Sequence, residues 1–249
     1  MKRFALFLAA LVAGVAIANF TVDWNPLRVA DDSSGETVVL LHGMARSNIA
    51  TKSMAKSLVA SGYNVQQVGY KSIGETPEEV IKDITEQINA CCSKLTTPVH
   101  LVGHSLGGIL VRAYLSENSL PGLGRVVLMG SPNKGTPIVD VFRDKWWMKI
   151  AGETALALGT DGKGFFASLP APTYPLGVIA GDVPEAGMSD RIPEKNDGLV
   201  PLESTKVDGM NDFIVLEVSH ADMREDKGVL KQLLYYLKEG KFDHEAVQK

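Results

Sequence analysis

Val99-His100-Leu101-Val102-Gly103-His104-Ser105-Leu106-Gly107-Gly108-Ile109-Leu110-Val111 decides the fold. An apolar, strand-like run leads into Gly-His-Ser-Leu-Gly-Gly, and apolar residues at helical spacing follow through Tyr114 and Leu115. Strand, sharp turn and helix in that order make a nucleophile elbow. The reversal forces Ser105 into a strained backbone conformation, and Gly103, Gly107 and Gly108 provide the room that strand and helix need to close up.

Working outward, Thr37-Val38-Val39-Leu40-Leu41 and Arg125 to Met129 are short apolar runs of the kind found in parallel strands buried on both faces. Tyr63 to Tyr70, Leu176 to Ala180 and Phe213 to Val218 read as further strands. Between them lie helical patterns. One runs from about Asn48 to Ser61 and stops at Gly62, and another from Glu78 to Leu95 is opened by Thr76-Pro77 with acidic residues in its first turn. Val229 to Leu237 closes the chain as an amphipathic helix. The alternation predicts a doubly wound, mostly parallel sheet with helices on both faces, its ligand site at the strand ends. From Thr136 to Pro175 the rhythm breaks. This stretch carries Trp146, Trp147, Phe165 and Phe166, and residues 138–172 are expected to form a short cap that lines the substrate site or packs onto the body.

The 249 residues suit one domain with a sizeable core, and a formal net charge of -4 offers no basic surface for nucleic acid. Lys2 and Arg3 precede an apolar run, residues 4–18, that ends Ala16-Ile17-Ala18, which reads as a secretory signal peptide over 1–18 ahead of a single domain over 19–249. The chain is thus expected outside the cytoplasm, periplasmic or secreted. An uncleaved membrane anchor at residues 4–18 is the alternative, though the run is short against the ~20 residues a bilayer span needs. Cys91 and Cys92 are adjacent within a helical pattern, where bridging is geometrically poor, so both are expected as free packed thiols.

A serine hydroxyl becomes a nucleophile at neutral pH only beside a base that an acid orients. Of five histidines, His42 lies in a turn, His100 in a strand, His104 inside the elbow and His244 in a polar tail. His220 follows the last strand in a loop from which it can reach a strand-end site, and is the expected base. The acid should fall between serine and histidine in the chain. Asp197, in Asn196-Asp197-Gly198, is favoured because the following glycine permits a tight turn; Asp182, after the Val178-Ile179-Ala180 strand, is the alternative. Preorganised backbone amides would hold the oxyanion, one at Leu106 and one at Met44 in the loop after the first strand.

Taken together, Leu41-His42-Gly43-Met44, the Gly103–Gly108 elbow, Gly130-Ser131-Pro132-Asn133-Lys134-Gly135-Thr136-Pro137, Asn196-Asp197-Gly198-Leu199-Val200 and Ser219-His220 resemble the bacterial lipase/esterase branch of the α/β-hydrolase superfamily. The resemblance runs from about residue 37 to the end. It implies Ser105, Asp197 and His220 as a catalytic triad, Met44 and Leu106 as the oxyanion hole, an acyl ester or lipid as substrate, and no cofactor. The calcium-binding loop of some lipases has no counterpart here, so no metal is expected. The expected activity is hydrolysis of carboxylic esters. An acyltransferase or thioesterase would use the same triad, and a catalytically silent interaction protein could share the fold. Membrane association would come through the N-terminal apolar segment or the substrate interface.

Overall fold

The computed structural model describes residues 35–162, 165–185 and 189–247. The signal-peptide reading therefore lies outside the described residues. Six strands form one sheet: β1 (Thr37–Leu41), β2 (Asn64–Val68), β3 (Val99–His104), β4 (Leu123–Met129), β5 (Leu176–Gly181) and β6 (Asp212–Leu216). Their order is β2-β1-β3-β4-β5-β6, and every neighbouring pair is parallel.

The connections are α1 (Lys52–Ala60), α2 (Pro77–Cys92), α3 (Leu106–Glu117), the short α4 (Pro137–Phe142), α5 (Trp146–Ala151), α6 (Glu153–Leu156) and α7 (Leu202–Thr205), and the closing α8 (Lys227–Glu239). Alternate strand residues feed two cores. Val39, Leu41, Leu101, Val126, Leu128 and Val178 pack with α2 and α3 on one face. Val38, Leu40, Val102, Val127, Met129 and Ile179 pack with α1 and α8 on the other. This period of two is why both faces of the central strands read as apolar in sequence. Among the described residues no helix is long and apolar enough to cross a membrane.

The helix ends follow local chemistry. Thr76 caps α2 by accepting a hydrogen bond from the Glu79 N–H, while the Glu79 carboxylate accepts from the Thr76 N–H, with Pro77 in the first turn. The helix ends at Cys92 rather than continuing to Leu95. The free-thiol expectation is corrected here: Cys91 and Cys92 are joined as a disulfide. The pair occupies the last two positions of α2, so no further helical turn has to accommodate it.

Segment 136–175 holds no strand among its described residues. Its described residues hold α4, α5, α6 and a 3-10 turn at Phe165–Ser168, all short. Arg112 of α3 holds its far end, donating to the carbonyls of Leu169 and Pro170 and to Asn133 Oδ1.

Candidate active site

From β1 the chain first winds outward to β2, then returns past β1 to β3 and on toward β6, so the sheet reverses direction between β1 and β3. The crevice beyond the carboxyl ends of those two strands is where an open α/β sheet takes its ligand. Gly43 follows β1 and Ser105 follows β3. They meet so closely that a Cβ on Gly43 would lie 3.1 Å from the Ser105 Cβ.

Ser105 has φ 56° and ψ -123°, one of two non-glycine residues with positive φ among those described. Holding it there costs on the order of 1–3 kcal/mol, and the close packing of elbow and sheet sustains the strain. A Cβ on Gly103 would overlap the Gly107 backbone, and one on Gly107 would overlap the Leu41 carbonyl. The Ser105 N–H is fixed on the Met129 carbonyl at 2.8 Å. Its hydroxyl is left at the head of α3, where the helix dipole favours negative charge.

His220 and Asp197 arrive from the loops beyond β6 and β5. His220 Nε2 lies 3.0 Å from Ser105 Oγ, and His220 Nδ1 lies 2.8 Å from Asp197 Oδ2. The other carboxylate oxygen of Asp197 accepts the N–H groups of Leu199 and Val200 at 3.0 and 2.8 Å, a turn that Gly198 closes with φ 106°. Asp197 is fully buried and His220 nearly so. Asp182 instead extends the β5–β6 pairing, its N–H donating to the Leu216 carbonyl. The structure therefore brings Ser105, His220 and Asp197 into one hydrogen-bonded path and leaves Asp182 off it.

The two amides expected to hold an oxyanion flank the serine. Leu106 is the first residue of α3, so its N–H has no carbonyl one turn back. Met44 follows Gly43 directly, and among the described residues neither amide is donated to an acceptor within the chain. Among those residues no three His, Cys, Asp or Glu side chains cluster as a metal site would.

Comparison with known proteins bears on the fold. The mature lipase BlEst2 of Bacillus licheniformis superposes with a TM-score of 0.69 at 17% identity, over 84% of this chain and 94% of that one. This chain has the α/β-hydrolase fold. An esterase of Exiguobacterium antarcticum matches this hydrolase fold with a TM-score of 0.56 at 19% identity, covering 84% of this chain and 94% of its own. A bromoperoxidase of Bacillus anthracis matches at 0.57 and 17%, covering 83% and 93%. The sequence model of palmitoyl protein thioesterase matches residues 37–159. No curated protein matches significantly in sequence.

Within this fold, one histidine beside the elbow, His42, is placed in a way its sequence position did not reveal. His42 is fully buried, stacked on Tyr70 with ring centroids 4.0 Å apart. Its Nδ1 lies 2.9 Å from the Gly43 carbonyl; a carbonyl only accepts, so Nδ1 carries the proton. That carbonyl belongs to the same peptide unit as the Met44 N–H, so the ring fixes where the amide points. The Tyr70 hydroxyl donates to the His42 carbonyl. Burial lowers the His42 pKa to about 4, keeping the ring neutral. The neighbouring Leu-His-Gly stretch was readable as a strand-end turn, but Tyr70 lies on the far side of α1 in the chain, and no local pattern announces such a pairing.

The four aromatics of the inserted segment divide. Trp147 is buried with Met148, Ala151 and Ala155, and Met44 packs against the same cluster. Phe166 is buried in the core shared by α2 and α3, with Phe165 against it edge to face at 5.4 Å. Trp146 is 65% exposed. Trp147 and Phe166 thus each share a cluster with residues beside the serine, Trp147 with Met44 and Phe166 with both Met44 and Leu106, whereas Trp146 faces outward.

Proposed function

We propose that this protein is a serine hydrolase of carboxylic esters, acting on lipid or other acyl esters. Ser105 is the nucleophile, His220 the base, Asp197 the acid that orients it, and the Met44 and Leu106 amides form the oxyanion hole. The continuous path from Asp197 through His220 to Ser105 carries this reading. His220 Nε2 takes the hydroxyl proton as Ser105 Oγ bonds to the ester carbonyl carbon, and Asp197 steadies the imidazolium that forms. The carbonyl oxygen becomes the oxyanion, met by amides oriented before the reaction begins. His220 then returns the proton to the departing alcohol, and water repeats the sequence to release the acid.

A fluorophosphonate probe should label the wild-type protein and spare Ser105→Ala, and p-nitrophenyl esters of graded chain length should report acyl preference. An unlabelled, folded wild type would return the chain to the silent-interaction reading.

A second reading has its own support, in the match of residues 37–159 to the thioesterase model. The same machinery would cleave a thioester. Rates on oxygen and sulfur esters of one acyl chain rank the two, and an added alcohol acceptor exposes acyl transfer. We also infer export from Lys2-Arg3, the apolar run and Ala16-Ile17-Ala18. Protein recovered from the cell envelope should begin near Asn19, and retained Met1 would mean an anchor.

A further inference from the structure

His104 does not belong to the hydrogen-bonded path at Ser105, yet it precedes Ser105 in the chain and meets both His220 and Gly43. It is the last residue of β3, buried, and immediately precedes the serine. Its Nε2 lies 3.1 Å from the carbonyl oxygen of His220. Since a carbonyl only accepts, Nε2 carries the hydrogen and Nδ1 is bare. That Nδ1 is buried without a partner, facing Gly43 so closely that a Cβ there would stand 3.3 Å away. Leaving a buried acceptor unsatisfied is unfavourable by ~1–3 kcal/mol, so the donor on the other side of the ring must matter to the arrangement.

The partner of that donor indicates how. The His220 N–H is held by the Asp197 carbonyl at 2.8 Å, and its carbonyl is held by His104. The backbone of His220 is thus tied to the acid's turn at one end and to the serine's own strand at the other. Its ring meets that of His104 at 4.9 Å with a 47° tilt. We propose that His104 is a positioning residue: its Nε2–H ties the His220 peptide to the nucleophile's strand and so sets the approach of the His220 imidazole to Ser105. This rests on the hydrolase reading above.

The electrostatics suit that task. Burial, then the charges of His220, Arg224 and Arg46, hold the His104 pKa well below its ordinary value. A neutral ring keeps one tautomer and places no second cation beside His220 while that residue carries the serine's proton.

Three variants test it, using kcat and KM on a p-nitrophenyl butyrate substrate, the pH profile of kcat/KM, and thermal melting. In His104→Gln the side-chain amide nitrogen reaches the place of Nε2 and keeps a donor. In His104→Asn the amide stops at the level of Nδ1, and His104→Leu has no donor. Loss of the tie should lower kcat roughly a hundredfold in the Leu and Asn variants with KM little changed, as for a misplacement of about 1 Å. Their acid limb should move to lower pH, because a loosened Asp197 contact stabilises the imidazolium less; the charges of Arg46 and Arg224 are common to all variants. His104→Gln should restore both kcat and the limb. If the Leu variant does not fold, Gln against Asn decides. Equal kcat and equal profiles in Gln and Asn, or a Gln variant as impaired as Leu, would overturn the proposal. Wild-type protein that neither labels with fluorophosphonate nor turns over would instead sink the hydrolase reading itself.

Discussion

The strand ends and the segment over 136–175 meet at Met44, which packs against the segment's Trp147 cluster, but they are built on different terms. At the strand ends each functional group is fixed more than once: Ser105 by its strained backbone and the Met129 carbonyl, His220 by bonds at N–H, carbonyl and both ring nitrogens, Asp197 by two amides and the imidazole. The segment over 136–175 consists of helices of four to six residues and a 3-10 turn. It is held to the body by apolar clusters, by the reach of Arg112 and by a few hydrogen bonds, such as Thr154 Oγ1 to the Glu75 carbonyl and the Gly74 N–H to the Ala151 carbonyl. Chemistry needs positions good to a fraction of an ångström, whereas an acyl chain needs only an apolar wall. The body should therefore govern rate, and the segment should govern which chain is preferred.

The largest effect expected of that division is at the serine. Ser105→Ala should lower kcat about 10⁶-fold with melting temperature preserved, because alanine can occupy the same turn. Substantial turnover by the folded variant would remove Ser105 from its role. Asp197→Asn should lower kcat about 10⁴-fold by favouring the wrong His220 tautomer, while Asp182→Asn stays close to wild type. A reversed ranking would move the acid to the other loop.

Next comes a stability effect confined to the body. His42 has its pKa lowered from 6.5 to about 4, so in the window between those values the unfolded chain binds a proton that the native state does not. Stability must then fall as pH drops through that window, by about 3 kcal/mol in the limit, and be insensitive to this group above it. His104 acts in the same direction. Urea midpoints at about pH 7 and about pH 5 measure the loss. His42→Asn keeps a donor at the Nδ1 level but cannot charge, so its midpoint should shift less between the two. An identical shift in both proteins would mean that acid instability arises elsewhere.

Legibility followed the same division. The elbow is contiguous, its glycines are demanded by backbone contacts a few residues away, and buried parallel strands print continuous apolar runs, so Val99 to Val111 was enough to place Ser105. Asp197 was readable because its carboxylate is turned inward by its own local turn, with Gly198 next to it. What stayed hidden was side-chain traffic across loops. Tyr70 reaches the His42 carbonyl from another strand end, and the His104 ring spans to His220 over a separation of 116 residues. The pairing of Cys91 with Cys92 stayed hidden for a different reason: bridging neighbours is disfavoured inside a helix, but these two residues end one. In the segment over 136–175, composition showed a break in the alternation but could not say which aromatic faced which way. Adjacent tryptophans on a short helix fall on different sides, one buried and one out.

That last difference gives the smallest and most selective test. Trp147 shares an apolar cluster with Met44, whose amide is one of the proposed oxyanion donors, while Trp146 is exposed. On the proposed ester-hydrolase reading, an acyl chain that leaves the oxyanion site past Met44 would meet Trp147 as its wall. Each buried methylene is worth ~0.8 kcal/mol, so a wall that loses contact with two of them shifts relative specificity roughly tenfold. Trp147→Ala should therefore lower kcat/KM for p-nitrophenyl laurate relative to butyrate by about that factor, leaving butyrate turnover within ~3-fold of wild type. Trp146→Ala should leave the ratio unchanged. Phe166 cannot serve as the probe, because it belongs to the core of the body and its truncation would cost about 3–5 kcal/mol of stability. An unchanged ratio in a folded Trp147→Ala protein would mean that its cluster only seats the segment on the body, and the division of labour between the two regions would fail at its specificity half.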